Sequence, residues 1–541
     1  MNVRQIIVLT LLLLSLTALA GRRTDKQMRA IALSQLTATT VNGARSMGAL
    51  RLEKVMENKA LTIYGDTTVG FCVVSRDDRH TAVVGLSPLP FVAEEMPDGF
   101  KWWLTRMTER LSDDAPLRTR SVTPVANFLK TTWGQTSPYN GACPTIGSRN
   151  CPTGCVATSM AQVMRYFSYP AKGKGVGYYT LNNKDHIKII NKTYAWEKML
   201  PEYSSTSGST NKKAVQDLMA DAGAAVHMKY TVSSGAAATS DAARAFFEHF
   251  SYDSLAIRYY LREYYTDEEW MGTIYNELAL KRPIMFGGID ASKEAGHSFL
   301  FSGCDEAGRL WVNWGWQGSC DGYYDIDNLK PDGDNYSDGQ EMIIGLKPQL
   351  EPDADDEYTS QWGYDQPFTL KAIGRDSLQF GIGTYYNISP LYFKGKLLYR
   401  IQSQTDKSID YKTMLDLEKY GDAVPTFYGY GPEEGEDEEK DTIVVSNLKA
   451  GVYELCLVSQ AKGELTPRLL RTWGGTQSIT FTKRADGTLI VEGDDPTAIS
   501  APRKTRLTGR GDTYDLRGRK TNGSPSSSGI YIIDGRKTIV P

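Results

Sequence analysis

The sequence predicts a multidomain α+β protein: a small α+β unit and a larger mixed unit, then an all-β sandwich and a terminal β-hairpin. Three observations carry that expectation. A helix-period segment at 155–167 sits inside an otherwise strand-rich chain. Alternating apolar runs bounded by Gly, Asn and Asp turns fill residues 362–495, and polar or acidic Pro-containing segments separate the units. At roughly 100–200 residues per domain, 541 residues make about three or four domains. Lys and Arg (61) nearly balance Asp and Glu (64), giving 61 − 64 = −3, with 41% hydrophobic and 23% charged residues. That composition is ordinary for a globular chain. Near-neutral charge argues against a nucleic-acid partner, which would require a basic face to neutralise phosphates.

At the N-terminus, Arg4 precedes a mostly apolar stretch from Ile6 to Ala18, and Ala18-Leu19-Ala20 is a small-x-small cleavage site. Residues 1–20 therefore read as a removable signal peptide. The run is short of the ~20 apolar residues of a membrane span, and no other stretch approaches it. The expectation is an exported chain, secreted or held at the cell surface.

Residues 21–120 open with a helix from Lys26 to Gln35. Three short strands follow, Leu61-Thr-Ile-Tyr64, Gly70-Phe-Cys-Val-Val74 and Ala82-Val-Val-Gly-Leu86, making a small α+β unit. The polar stretch Ser112 to Arg120, with Pro116, reads as an exposed connector open to proteolysis. Residues 121–348 form the longest stretch without a linker. The acidic segment 349–361 is the next boundary. In the 362–495 sandwich, Ile443-Val-Val-Ser446 and Tyr453-Glu-Leu-Cys-Leu-Val458 are representative strands, and the acidic run 432–441 reads as a loop. Residues 496–541 end in Gly529-Ile-Tyr-Ile-Ile-Asp-Gly-Arg-Lys537, which reads as a small basic β-hairpin. Arg510-Gly511-Asp512 matches an integrin-binding tripeptide, a three-residue pattern that chance also produces.

Seven cysteines in an exported chain leave at least one unpaired: Cys72, Cys143, Cys151, Cys155, Cys304, Cys320 and Cys456. Cys143 with Cys151 and Cys304 with Cys320 are candidate local bridges, although spacing alone does not fix connectivity. Cys151 and Cys155 also have zinc-ligand spacing, but no second close Cys or His pair completes four ligands.

The segment Thr153-Gly154-Cys155-Val156-Ala157-Thr158 opens a helical pattern, with Val156, Met160, Val163, Met164 and Phe167 at helical spacing. Pro152 and Gly154 keep the residues before it out of the helix. Cys155 thus falls at a helix N-terminus, where the macrodipole and unpaired N–H groups favour an anion. A thiol of pKa near 8.5 is about 3% thiolate at pH 7, but a helix N-terminus with a nearby imidazolium makes it almost fully anionic. That is a nucleophile's setting rather than a core cysteine's.

Of the five histidines, His80 lies in the N-terminal unit, His186 in a charged stretch, and His227 and His249 in helical patterns. His297 differs: it follows Gly296 and starts the run Ser298-Phe-Leu-Phe-Ser302. Asp305-Glu-Ala-Gly308 then turns the chain into Leu310-Trp-Val-Asn-Trp314. With that loop, a hairpin pairs residues whose numbers sum to 613, setting His297 across from Trp316. A one-residue slip would instead present Asn313, whose amide oxygen can fix an imidazole tautomer.

Residues 135–170 and 296–326 resemble the streptopain family of papain-like cysteine peptidases. The resemblance rests on Gln135-Thr-Ser-Pro-Tyr-Asn140 with Cys143-Pro144, Thr153-Gly-Cys-Val-Ala-Thr158, Gly296-His297, and Val312-Asn-Trp-Gly-Trp316 ahead of Asp321-Gly322-Tyr323. It implies a papain-like domain over 121–348, with Cys155 as nucleophile and His297 as general base and acid. It further implies Gln135 with the Cys155 backbone N–H as oxyanion hole, and Asn313 or Trp314 orienting or shielding the histidine. Gly235, Gly296 and Trp316 are the implied substrate-binding residues. Residues 21–120, including Asp98-Gly-Phe-Lys-Trp-Trp103, resemble an inhibitory pro-domain. The segment 496–541 resembles a type IX secretion sorting signal, read by bacterial export machinery. Protein substrates are implied, with no metal or organic cofactor. Two rivals share these residues: acyl transfer by the same Cys–His pair, and a binding module that retains a peptidase-like domain.

Overall fold

The computed structural model describes residues 21–40, 52–66, 70–112, 117–290, 295–327, 339–350, 359–421, 423–432 and 436–492, and the backbone of four strands between 513 and 540. The expected signal peptide, most of the acidic linker (351–358) and Arg510-Gly511-Asp512 lie outside the described residues. Among the described residues, no helix is long and apolar enough to cross a membrane.

Helix α1 (Asp25–Thr40) leads into strands β1 (Glu53–Glu57), β2 (Leu61–Asp66), β3 (Gly70–Ser75) and β4 (Val83–Ser87), then helix α2 (Asp98–Arg110). Next come helix α3 (Cys155–Phe167), the strands β5 (Val176–Leu181) and β6 (Lys184–Ile189), and helix α4 (Ser209–Ala225). Short strands β7 (Lys229–Tyr230) and β8 (Gly235–Ala236) precede helix α5 (Thr239–Phe250), strand β9 (Arg258–Leu261) and helix α6 (Asp267–Ala279). Strands β10 (Ile284–Asp290), β11 (Ala295–Cys304), β12 (Leu310–Asn313), β13 (Gly322–Tyr324) and β14 (Glu341–Ile344) complete this part. The α+β class expected from the sequence is the class observed.

The chain divides into two compact units. The first joins residues 1–134 to 299–335. In it β1, β2, β3, β4, β13, β12 and the 299–304 part of β11 are neighbours in order. Every residue of β3 is buried, which explains its unbroken apolar run. Met28, Ala32 and Leu36, four residues apart on α1, pack on Tyr64, Cys72, Val74 and Leu86. The N-terminal segment is stitched to the later one by main-chain pairing of Leu86 with Tyr323 and Gly85 with Tyr324. The Ser87 hydroxyl also donates to the Asp321 carbonyl at 2.7 Å. Over this seam lies α2. Its Phe100 ring stacks on Trp103 (5.7 Å between centroids) and meets Trp314 and Tyr324 edge-on or tilted at 5.9 and 5.5 Å.

The hairpin of β11 and β12 keeps the sum-613 register where Leu300 faces Asn313 and Phe301 faces Val312. The slipped alternative is not formed. Between Phe301 and Cys304 a bulge shifts the pairing to Cys304 with Leu310. On its other side Cys304 exchanges two backbone hydrogen bonds of 2.8 Å with Val125. A third segment therefore occupies the place where the ladder breaks step.

The second unit holds residues 135–298 and 336–541. Helices α3, α4 and α5 pack together, beside a four-stranded sheet ordered β8-β7-β5-β6 and a ladder ordered β10-β14-β9. The C-terminal strands between 362 and 491 form three sheets around one core that includes Trp362, Phe380, Phe393, Leu397 and Phe481. This core is docked on the preceding part through tyrosines. Arg471 lies 4.0 Å over the Tyr265 ring and bonds Glu269 at 3.2 Å, and the Tyr264 and Tyr386 hydroxyls meet. The expected terminal hairpin is present as Gly529–Ile533 paired with Arg536–Val540, beside two more short strands.

All seven cysteines are free thiols, so neither candidate local bridge is formed. His227 does not lie in a helix as expected; it follows α4 with φ +50°. Its Nε2 lies 3.3 Å from Asp185.

Because Phe100 is wholly buried at the centre of the aromatic cluster, Phe100→Ala removes both transfer energy and packing. On the full chain carrying Cys155→Ala, denaturant unfolding followed by tryptophan fluorescence should show the first unit destabilised by about 3–5 kcal/mol. A loss below about 1 kcal/mol would mean the cluster relaxes around the cavity.

Candidate active site

Helix α3 begins at Cys155, and the residue before it explains why. Gly154 has φ +84° and ψ 144°, a left-handed conformation that side chains rarely adopt. A Cβ there would also lie 2.6 Å from the Met228 methyl carbon. The turn is held from both sides. The Thr153 and Thr158 hydroxyls bond each other at 2.6 Å, and the Thr158 hydroxyl and N–H both donate to the Gly154 carbonyl at 3.0 Å. Val156, Met160, Val163 and Met164 bury the other side of the helix. Cys155 itself is half-buried, and it is the one cysteine of the seven that is not buried. Burial pushes Cys72, Cys143 and Cys320 up to about 12 and raises Cys151 and Cys456 as well. Those five thiols are therefore unreactive near neutrality. Among the described residues, no group of three or more His, Cys, Asp or Glu could hold a metal ion.

Gln135 is brought beside this turn by the backbone: its carbonyl accepts the Thr153 N–H at 2.9 Å. The loop between them is closed internally. Asn140 donates to the carbonyls of Asn150 and Cys151 at 3.3 Å, and the Cys151 N–H donates to the Pro144 carbonyl at 2.9 Å. Gly235 lies on the other side of Gly154: a Cβ on Gly235 would lie 3.1 Å from the Gly154 Cα and 3.0 Å from the Met228 sulfur. Only paired glycines permit that approach.

His297 is half-buried and Gly296 exposed, in the early part of β11 that belongs to the same unit as Cys155. The next residue ties this strand to α3: the buried Ser298 hydroxyl donates to the buried Ser159 hydroxyl at 3.5 Å. Ser159 is one helical turn beyond Cys155. The sequence reading missed this pair, although the four-residue spacing from Cys155 was a visible signal. The geometry brings Cys155, Gln135, Gly235 and the His297 strand to one end of α3.

Asn313, Trp314 and Trp316 lie in the first unit. The Asn313 amide donates to the Thr131 carbonyl at 2.7 Å and accepts from the Gly315 N–H at 3.0 Å. Trp314 is buried, with its ring 4.7 Å from Phe299 and its indole N–H donating to the Cys320 carbonyl at 2.9 Å. A Cβ on Gly99 of α2 would lie 2.8 Å from the Trp314 ring. Trp316 is half-buried in the turn after β12. The backbone of Trp314 is anchored by Asp321, whose carboxylate accepts the Trp314 N–H at 2.9 Å. Complete burial pushes Asp321 up to about 7, with that single hydrogen bond pulling the other way. Sequence reasoning carried Asp321 only as part of a motif.

The Peptidase C10 family model matches residues 133–324. Streptopain of Streptococcus pyogenes is 30% identical over 392 residues, which cover 62% of this chain and 98% of streptopain. The thiol protease/hemagglutinin PrtT of Porphyromonas gingivalis is 31% identical over 313 residues, covering 52% of this chain and 36% of that protein. Among solved structures, a prointerpain A fragment from Prevotella intermedia is similar at a TM-score of 0.51 and 32% identity. That match covers 56% of this chain and 100% of the fragment.

Asp321 supplies a pH signature. A raised pKa means the folded state keeps a proton that the unfolded state releases above about pH 4, so stability falls as pH rises from there to about 7. Asp321→Asn keeps an acceptor for Trp314 and removes the titration. Unfolding of the two proteins compared from pH 4 to 8 should show the wild type losing on the order of 3 kcal/mol relative to the variant. Parallel pH profiles would show that the carboxylate titrates normally.

Proposed function

The chain belongs to the peptidase C10 family and is a cysteine-type peptidase, and from that premise we propose that Cys155 is its nucleophile and His297 its general base and acid. Access is the observation that supports this reading most: the other six thiols are buried, while Cys155 stands half-exposed at the start of α3. The His297 strand, tied to that helix through Ser298 and Ser159, supplies the imidazole.

The chemistry follows from these positions. The helix N-terminus favours the thiolate, which attacks the scissile carbonyl carbon. The tetrahedral oxyanion is stabilised by the Cys155 N–H and the Gln135 amide, donors each worth roughly 3–4 kcal/mol in comparable sites. His297 protonates the leaving amine, then takes a proton from the water that releases the acyl group. Asn313 or Trp314 orients or shields the imidazole, and Gly235, Gly296 and Trp316 border the substrate. Gly235 lies against Gly154, the residue before Cys155, in a place too tight for a side chain.

The enzyme is made as a zymogen. Residues 21–120 are the inhibitory segment and 112–120 the cleavage region. Residues 1–20 direct export, the segment 496–541 addresses the chain to secretion machinery, and the released enzyme cleaves host or environmental proteins outside the cell.

Under reducing conditions with casein, residues 21–541 should shorten by about 100 residues and then degrade casein. Cys155→Ala and His297→Ala should lose at least about 10⁴-fold in turnover. Gln135→Ala should lose about 10²–10³-fold in kcat with little change in KM. A Cys155→Ala protein that still processes itself and digests casein would remove Cys155 from the mechanism.

A further inference from the structure

The four-stranded sheet ordered β8-β7-β5-β6 has two unlike faces. Gly177 and Tyr179 point inward. A Cβ on Gly177 would lie 2.7 Å from the Ala224 backbone of α4, so the sheet closes on that helix without an intervening side chain. The strand alternation then turns Val176 and Tyr178 outward. Across the hairpin Val176 pairs with Ile189 and Tyr178 with Ile187. These four are exposed by 43%, 62%, 45% and 70% respectively, and Val232 in the β7–β8 turn is 45% exposed. The parallel pairing of Thr180 with Lys229, and of Lys229 with Ala236, continues the same outer face to β8. The His227 ring lies 6.0 Å from Tyr178 at its margin.

Aliphatic cross-strand pairs normally form the inside of a sheet, and a contiguous exposed set marks a surface that something covers. Its place indicates what. The sheet's inner edge is β8, where Gly235 lies against Gly154 beside Cys155. Strands are spaced about 4.8 Å apart, so β6 lies roughly 14 Å from β8, a distance that about four or five residues of extended chain span. A polypeptide running from Cys155 across β8 and Lys229 of β7 would reach Tyr178, Ile187 and Ile189 next.

We propose that the outer face of this sheet is an exosite that binds apolar side chains of an extended polypeptide substrate, several residues from the bond cleaved. The proposal rests on the peptidase reading given above. It makes the enzyme favour unfolded or extended protein segments, whose apolar side chains are available, over short peptides that end before the face begins.

The test compares self-processed wild type with Ile187→Lys/Ile189→Lys, and with Leu280→Lys, an exposed leucine (58%) outside the sheet. Substrates are reduced, unfolded casein and a fluorogenic tripeptide. Expected is a fall of about five- to tenfold in kcat/KM on casein for the double variant, mostly through KM. Tripeptide turnover should stay within about twofold and Leu280→Lys should match wild type on both. Unchanged casein turnover, or an equal fall on both substrates, would overturn the exosite. So would a wild-type dimer in sedimentation velocity that the double variant dissolves without loss of casein turnover; the face would then be a self-association surface. A wild type inert toward both substrates overturns the peptidase assignment, and the exosite with it.

Discussion

The site depends on one backbone constraint, the left-handed turn at Gly154. With φ at +84°, the chain enters α3 at an angle that makes Cys155 the first helical residue, in the turn whose N–H groups have no intrahelical partner. The surrounding contacts hold this conformation: Thr153 and Thr158 bond across the turn, the Gln135 carbonyl takes the Thr153 N–H, and Met228 and Gly235 close the space a side chain would need. A residue with a Cβ would incur both the backbone penalty of positive φ and a clash with Met228. Gln135, Cys155 and Gly235, the residues proposed as oxyanion donor, nucleophile and cleft border, are thus positioned by the same few ångströms of main chain.

A second constraint governs the first unit. Trp314 is enclosed by Phe299, Phe100 and Tyr324, fixed through Asp321 and Cys320, and approached by Gly99 so closely that no side chain fits between. Phe100 and Gly99 come from the segment read as inhibitory; Trp314 comes from the segment read as catalytic. With β4 paired to β13, these two segments share both a sheet and an aromatic core. Cutting the connector between them would not by itself separate them, because the buried aromatic area and the ladder bonds remain after the peptide bond is gone.

The parts legible in the sequence were those governed by local chemistry. The helix from Cys155 to Phe167 follows from apolar spacing and from Pro152 and Gly154 ahead of it. Of the two hairpin registers the sequence left open, the one set by a four-residue turn is formed, to within the bulge at Cys304, where Val125 pairs. What escaped was set at long range. Helix α2 has few apolar residues on its outer face and is held by residues more than 200 positions away, such as Asp325, whose carbonyl accepts the Trp103 indole N–H at 2.8 Å. The candidate bridges failed for a related reason: cysteine spacing reports proximity along the chain and not the direction of two Cβ vectors. Ser159 and Ser298 were invisible as a pair because 139 residues separate them.

The outer face of the β8-β7-β5-β6 sheet shows most clearly where sequence reading stops. Val176, Tyr178, Ile187 and Ile189 alternate with Gly177, Tyr179, His186 and Lys188, and alternation of that kind normally assigns the apolar set to the interior. Here the glycine decides the orientation instead. Gly177 lets the strand approach the backbone of α4 directly, and Lys188 reaches inward to the fully buried Asp221 at 3.2 Å, with the Tyr194 hydroxyl on its other oxygen at 2.9 Å. An ion pair to a buried carboxylate and a glycine contact take the interior position. The aliphatic side chains are left facing water, at a cost of about 25 cal/mol for each square ångström exposed. A sheet that accepts that cost while remaining well packed on its inner face is one whose outer face has a use.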